Sequence, residues 1–155
     1  NGFTPPLSGG TFCCDQLSVF DNETGRMFWL QQHRVDAAGN NTIRLVVYEN
    51  KAALETQTYC TYDYTPQTFA TARPSRWFDF NQMQVTDKWL YLSSNRYLRT
   101  TLPIVGQVDI FEGGIVWRLE KDDFSSSCGD VTTQSRFEPL AYGVALTDQR
   151  PHHTM

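Results

Sequence analysis

Lysine is scarce in this chain of 155 residues: Lys51, Lys88 and Lys121 stand among 13 basic residues, against 17 acidic ones, for a net charge of −4. That balance argues against a phosphate-reading surface, so no nucleic-acid partner is expected. Histidine is equally sparse, with three residues, and no Cys-x-x-Cys occurs. A structural zinc site of the usual spacing is therefore absent. Apolar runs last only a few residues, so no membrane span is expected. No segment sustains an apolar period of 3.6 residues beyond two turns, which excludes a helical protein. Charged residues make up only 19% of the chain.

What is present is aromatic: 10 Phe, 7 Tyr and 4 Trp, 14% of the chain. That much apolar ring surface buries itself and excludes disorder. Alternating segments read as strands over 12–20, 26–35, 42–49 and 58–64, with a turn or two of helix within 50–57. After a loop marked by Pro66 and Pro74, strands resume at 82–86, 89–94, 107–111, 115–121, 131–139 and 142–147. Residues 96–104 read as irregular, and Glu112-Gly-Gly114 reads as a turn. The fold class is all-β and antiparallel.

Asp15-Gln-Leu-Ser-Val-Phe-Asp21 lies over Asn81-Gln-Met-Gln-Val-Thr-Asp87 at a shift of 66 residues. An aromatic-rich strand follows each copy, Phe28-Trp29-Leu30 and Trp89-Leu90-Tyr91-Leu92. A weaker third copy is Gly143-Val-Ala-Leu-Thr-Asp148. Such a repeat describes a four-stranded unit with a small inner strand, an Asp that caps the hairpin turn, and large rings filling the space between sheets. The expected architecture is therefore blade-like: a first blade over about 11–66, a second over about 77–139, and the start of a third over about 140–155. Two blades cannot close a ring, so the partners expected are the rest of a longer polypeptide or copies of the chain itself.

The stretch from Trp77 to Asn95 resembles blades of large secreted β-propellers of the sialidase-like and related kinds. There an aromatic-Asp-aromatic element leads into an inner strand, a turn, and a Leu-Tyr-Leu-Ser strand like 90–93. Phe12–Leu30 is similar to another blade opening, and Ile115–Phe124 to the later strand and loop of a blade. The resemblance implies a β-propeller fold and not an activity. Sialidase-type hydrolysis needs an arginine cluster, a Tyr/Glu nucleophile pair and an acidic donor. No local motif assigns them, and the Ser-x-Asp-x-Gly-x-Thr-Trp turn signature of that family is missing; Asp21–Gly25 is a loose relative. No catalytic residue is assigned.

Cys13, Cys14, Cys60 and Cys128 suit two disulfides in an oxidising compartment, with three connectivities open. A bridge between neighbours is strained, so Cys13 and Cys14 are each expected to pair with one of the other two. Two glycosylation sequons, at Asn22 and Asn40, agree with secretion to an extracellular location. Asp15, Asp79 and Asn81 open the predicted inner strands, where a propeller binds ligands or calcium through oxygen atoms. Calcium is the one cofactor those residues would take. The sequence expectation is an extracellular structural or glycan-binding module that is not an enzyme. Its alternatives are a piece of a secreted carbohydrate-active enzyme and a self-assembling ring or filament subunit.

Overall fold

A computed structural model of the chain describes residues 10–69, 75–124, 128 and 140–141. Those residues form two antiparallel four-stranded meanders. The first contains β1 (Phe12–Asp21), β2 (Arg26–His33), β3 (Ile43–Tyr48) and β4 (Cys60–Tyr64). The second contains β5 (Arg76–Val85), β6 (Trp89–Leu102), β7 (Gly106–Glu120) and β8 (Leu140–Ala141). Short helices α1 (Lys51–Glu55) and α2 (Pro66–Phe69) flank β4. The Asn50 side chain caps α1 by accepting the Ala53 N–H.

The period-two alternation read from the sequence sorts the side chains. On one face of the first sheet, Leu17, Leu30, Leu45 and Tyr62 lie in register, as do Val19, Phe28, Val47 and Cys60. On one face of the second, Met83, Leu92 and Trp117 line up, beside Val85, Leu90 and Leu119. The two faces meet in a single core, and Phe124 enters it edge-on to Phe28 and Tyr62. β1 and β5 lie against each other. They run the same way: Gln32 at the end of β2 reaches Asp79 at the start of β5, and the β1–β2 turn reaches Lys121 past the end of β7.

Three readings change. Residues 96–102 are strand rather than irregular, with the turn confined to 103–105, and 112–114 is not a turn. β6 and β7 form one long hairpin, and Gly113 and Gly114 sit within its ladder opposite Arg96 and Asn95. The glycines mark a register shift that lets the hairpin continue to its tip, where Gly106 turns at φ +83°. Second, Leu140 and Ala141 pair with Val116 and Ile115, so they are the fourth strand of the second sheet. The segments 131–139 and 142–147 lie outside the described residues. Third, Trp89 and Tyr91 point away from the shared core, which Leu90 and Leu92 fill instead.

The repeat survives in an altered form. Phe12-Cys-Cys-Asp-Gln16 and Phe78-Asp-Phe-Asn-Gln82 are both β-bulges at the same place in their strands. The residues 66 apart at their centres, Cys14 and Phe80, both have left-handed backbone, at φ 47° and 55°. Yet Leu17 and Met83, also 66 apart, both face the shared core. A rotation relating blades would send one of them to the opposite side. The 66-residue match and a rotation between blades therefore do not agree at these two residues.

Candidate functional site

Where β2 ends and β5 begins, a polar seam joins the sheets. Asn41 lies in the β2–β3 loop, fully buried. Its amide donates to the Phe78 carbonyl and accepts the Phe78 N–H, both at 2.8 Å, as a neighbouring strand would. Gln32 donates to Asp79 at 3.0 Å and accepts from Asn81 at 2.7 Å. Asn81 is buried, and its Oδ1 has no hydrogen-bond partner. The seam thus brings together two of the three proposed oxygen ligands, Asp79 and Asn81, by way of Gln32. Asp15 is exposed on the β1 bulge and shares no hydrogen bond with them. Among the described residues no three His, Cys, Asp or Glu side chains converge to hold a metal ion.

The β1 bulge carries the correction to the cysteines. Cys13 bonds to Cys14, and Cys60 bonds to Cys128. The adjacent pair sits at the centre of the bulge, where Cys14 takes left-handed backbone at φ 47°. No signal in the cysteine spacing reveals this; the repeated Phe-x-x-Asp/Asn-Gln pattern does, once its centre is known to be left-handed. Cys13 is nearly buried and Cys14 is exposed.

At the opposite end of the shared core sits a cationic clamp that sequence reasoning missed. Lys121, 2% exposed, donates to Asp21 and Glu23, each at 2.9 Å. Arg26 donates to the Lys121 carbonyl. Burial works against both charges. Hydrogen bonds from Thr24, Lys121 and the Glu23 N–H nevertheless hold the Asp21 carboxyl below its ordinary range. Bonds to Asp21 and Glu23 likewise raise Lys121 against the effect of burial. The Asp predicted to cap the first hairpin does so, with Gly25 following at φ +72°. In the second hairpin that task falls to Thr86, whose hydroxyl meets Trp89.

The faces turned away from the core carry half-buried tryptophans beside polar groups. Trp29 donates to Gln16 on the outer face of the first sheet. Trp89 on the outer face of the second has Lys88 and Arg118 near its ring, at 5.1 and 4.5 Å from the ring centre. At the base of the β6–β7 hairpin, Trp77 stacks on Tyr97, donates to Asp109 and is covered by Arg99. Arg76 and Arg96 both pair with Glu112 nearby. The first sheet's outer face also holds a polar row, with Gln31 and Arg44 buried and Asp63 half-buried, and the buried His33 beside it. Arg44 and Asp63 form a two-pronged ion pair. Burial, and then the charge of Arg44, hold His33 below its ordinary pKa.

Of the sequons, Asn22 is exposed in the β1–β2 turn, while Asn40 is half-buried in the β2–β3 loop with its N–H on Asp36. Residues His152 and His153 lie outside the described region. No helix among the described residues is long and apolar enough to cross a membrane. Comparison with protein-family models, curated proteins and solved structures finds no match.

Proposed function

We propose that the chain is an extracellular, non-catalytic module of propeller-type blades that binds glycans on its outward aromatic faces. The observation that carries this is the set of half-buried tryptophans, Trp29, Trp77 and Trp89, each with a polar or charged neighbour. A sugar presents an apolar C–H face and a rim of hydroxyls. A partly exposed ring flanked by donors and acceptors matches both. Two disulfides agree with an oxidising location. Successive meanders whose first strands lie side by side and run the same way agree with blades of the sialidase-like kind. Titration of tryptophan fluorescence with neutral and acidic oligosaccharides tests the reading. Saturable shifts lost in Trp89→Ala, Trp77→Ala or Trp29→Ala support it. Saturable binding indifferent to all three substitutions removes its basis.

A second reading, self-association, is favoured by the tip of the β6–β7 hairpin. Ile104 is 97% exposed and Val105 70%, beside exposed Leu102 and Ile110. Nothing charged lies between Arg99 and Asp109 to discourage contact between copies. Sedimentation over a hundredfold range of concentration, expected to show association that Ile104→Asn abolishes, distinguishes this from a monomeric module.

A further inference from the structure

The two bulges share their place in the strand and a left-handed residue at the centre, although three residues bulge in β1 and two in β5, and they are held by different chemistry. At β5, Phe80 is kept left-handed by hydrogen bonds: Asn41 grips Phe78, and Gln32 grips Asp79 and Asn81. At β1 no hydrogen bond among the described residues to a side chain of residues 13–15 does this work, and Asp15 is exposed. The left-handed residue there is Cys14, closed into an eight-membered ring with Cys13. That bond encloses no loop of chain, so it contributes almost nothing through the entropy of the unfolded state. The Cys60–Cys128 bond, in contrast, joins residues 68 apart. A non-glycine residue in left-handed backbone is held there at a cost. Opening the ring removes that constraint.

We propose that the Cys13–Cys14 disulfide is a redox-operated clasp on the β1 bulge, opened by a dithiol reductant. A thiolate of the reductant attacks the exposed Cys14 Sγ. The Cys13–Cys14 bond breaks and Cys13 leaves as a thiolate. The second thiol of the reductant then attacks the mixed disulfide, releasing Cys14 and departing as a cyclic disulfide. Two electrons pass to the protein, and the two thiol protons of the reductant end on Cys13 and Cys14. Cys14 then relaxes from φ 47°, and the three bulged residues 13–15 re-pair against Gln32, which they now oppose alone. The surface formed by Phe12, Cys14 and Asp15, all exposed, is the part that changes. The β5 bulge, held without sulfur, stays as it is.

The test uses the full chain, folded, in graded dithiothreitol, with alkylation and mass spectrometry to identify the opened pair. Hydrogen exchange of residues 11–16 and 31–34 is followed alongside 78–82. Cys13 and Cys14 are expected to label at about tenfold less reductant than Cys60 and Cys128. Amides at 11–16 are expected to lose about tenfold in protection, with 78–82 unchanged, and oxidised glutathione restores them. Reduction of all four cysteines together, or opening of the pair with no change in exchange at 11–16, overturns the proposal. Cys13→Ser/Cys14→Ser serves as the permanently open form. If it folds with the oxidised exchange pattern the clasp does nothing, and if it does not fold the reduced wild-type chain still decides.

Discussion

Single side chains at the centre of the protein carry more energy than their exposure suggests. Lys121 and Asp21 are charges withdrawn from water and satisfied by each other. Removing one strands its partner. Lys121→Met is expected to cost about 3–5 kcal/mol in urea unfolding, and adding Asp21→Leu to recover much of that loss. Asp21 contributes stability that is present above the ordinary aspartate value of 3.8 and is lost as pH falls through its depressed folded value. Lys121 contributes stability present below 10.5 and lost as pH rises through its raised value. His33 acts between them. Its folded pKa is depressed, so protonation favours the unfolded chain, and the melting temperature should fall as pH drops below 6.5. His33→Gln should flatten that decline, and a decline unchanged by the substitution would place its source elsewhere. Gln31 is the opposite case. It is fully buried, and neither end of its amide has a hydrogen-bond partner. Gln31→Met should therefore raise stability by about 1 kcal/mol, because an apolar side chain of similar volume leaves nothing unsatisfied.

Strands and turns show which features a sequence displays and which it hides. Alternation placed β2, β3 and β4 within a residue or two, because each buries one face and the pattern records it. The β6–β7 hairpin was hidden, since Pro103 and the Gly113-Gly114 pair look like interruptions. One stands at the tip, and the others lie in a ladder where Arg96 and Arg76 converge on Glu112. The disulfides were hidden for a different reason: pairing depends on backbone conformation at Cys14, which spacing does not encode. Their energies should differ accordingly. Breaking Cys60–Cys128 by double Ser substitution should cost about 4 kcal/mol, from the large loop it closes. The same change at Cys13–Cys14 should stay within about 1 kcal/mol. Equal losses in thermal melts would contradict this account of the two bonds.

At the level of the molecule, two meanders share one core and expose aromatic outer faces. The repeat predicted the two sheets, but neither the bulges in their first strands nor their relation, because a 66-residue match ignores backbone conformation and which way side chains point. Of the candidate site, Asp79 and Asn81 were legible as strand-start polar residues. Gln32 and Asn41, which engage them and Phe78 from the other sheet, were not, since contacts 37 to 49 residues apart leave no local trace. Trp29 and Trp89 were placed on the right strands but read as filling the space between sheets; facing decides whether a ring fills a core or meets a ligand. Trp117 does the first, and Trp89 faces away from the core, as the proposed glycan site requires. The most direct measurement is therefore a panel of plant, microbial and animal glycans presented to the intact chain and to Trp89→Ala. The account predicts a restricted set of bound glycans, lost or weakened about fivefold or more in the variant, as stacking on one ring is worth about 1 kcal/mol or more. A blank panel, or binding untouched by loss of the Trp29, Trp77 and Trp89 rings, would contradict it.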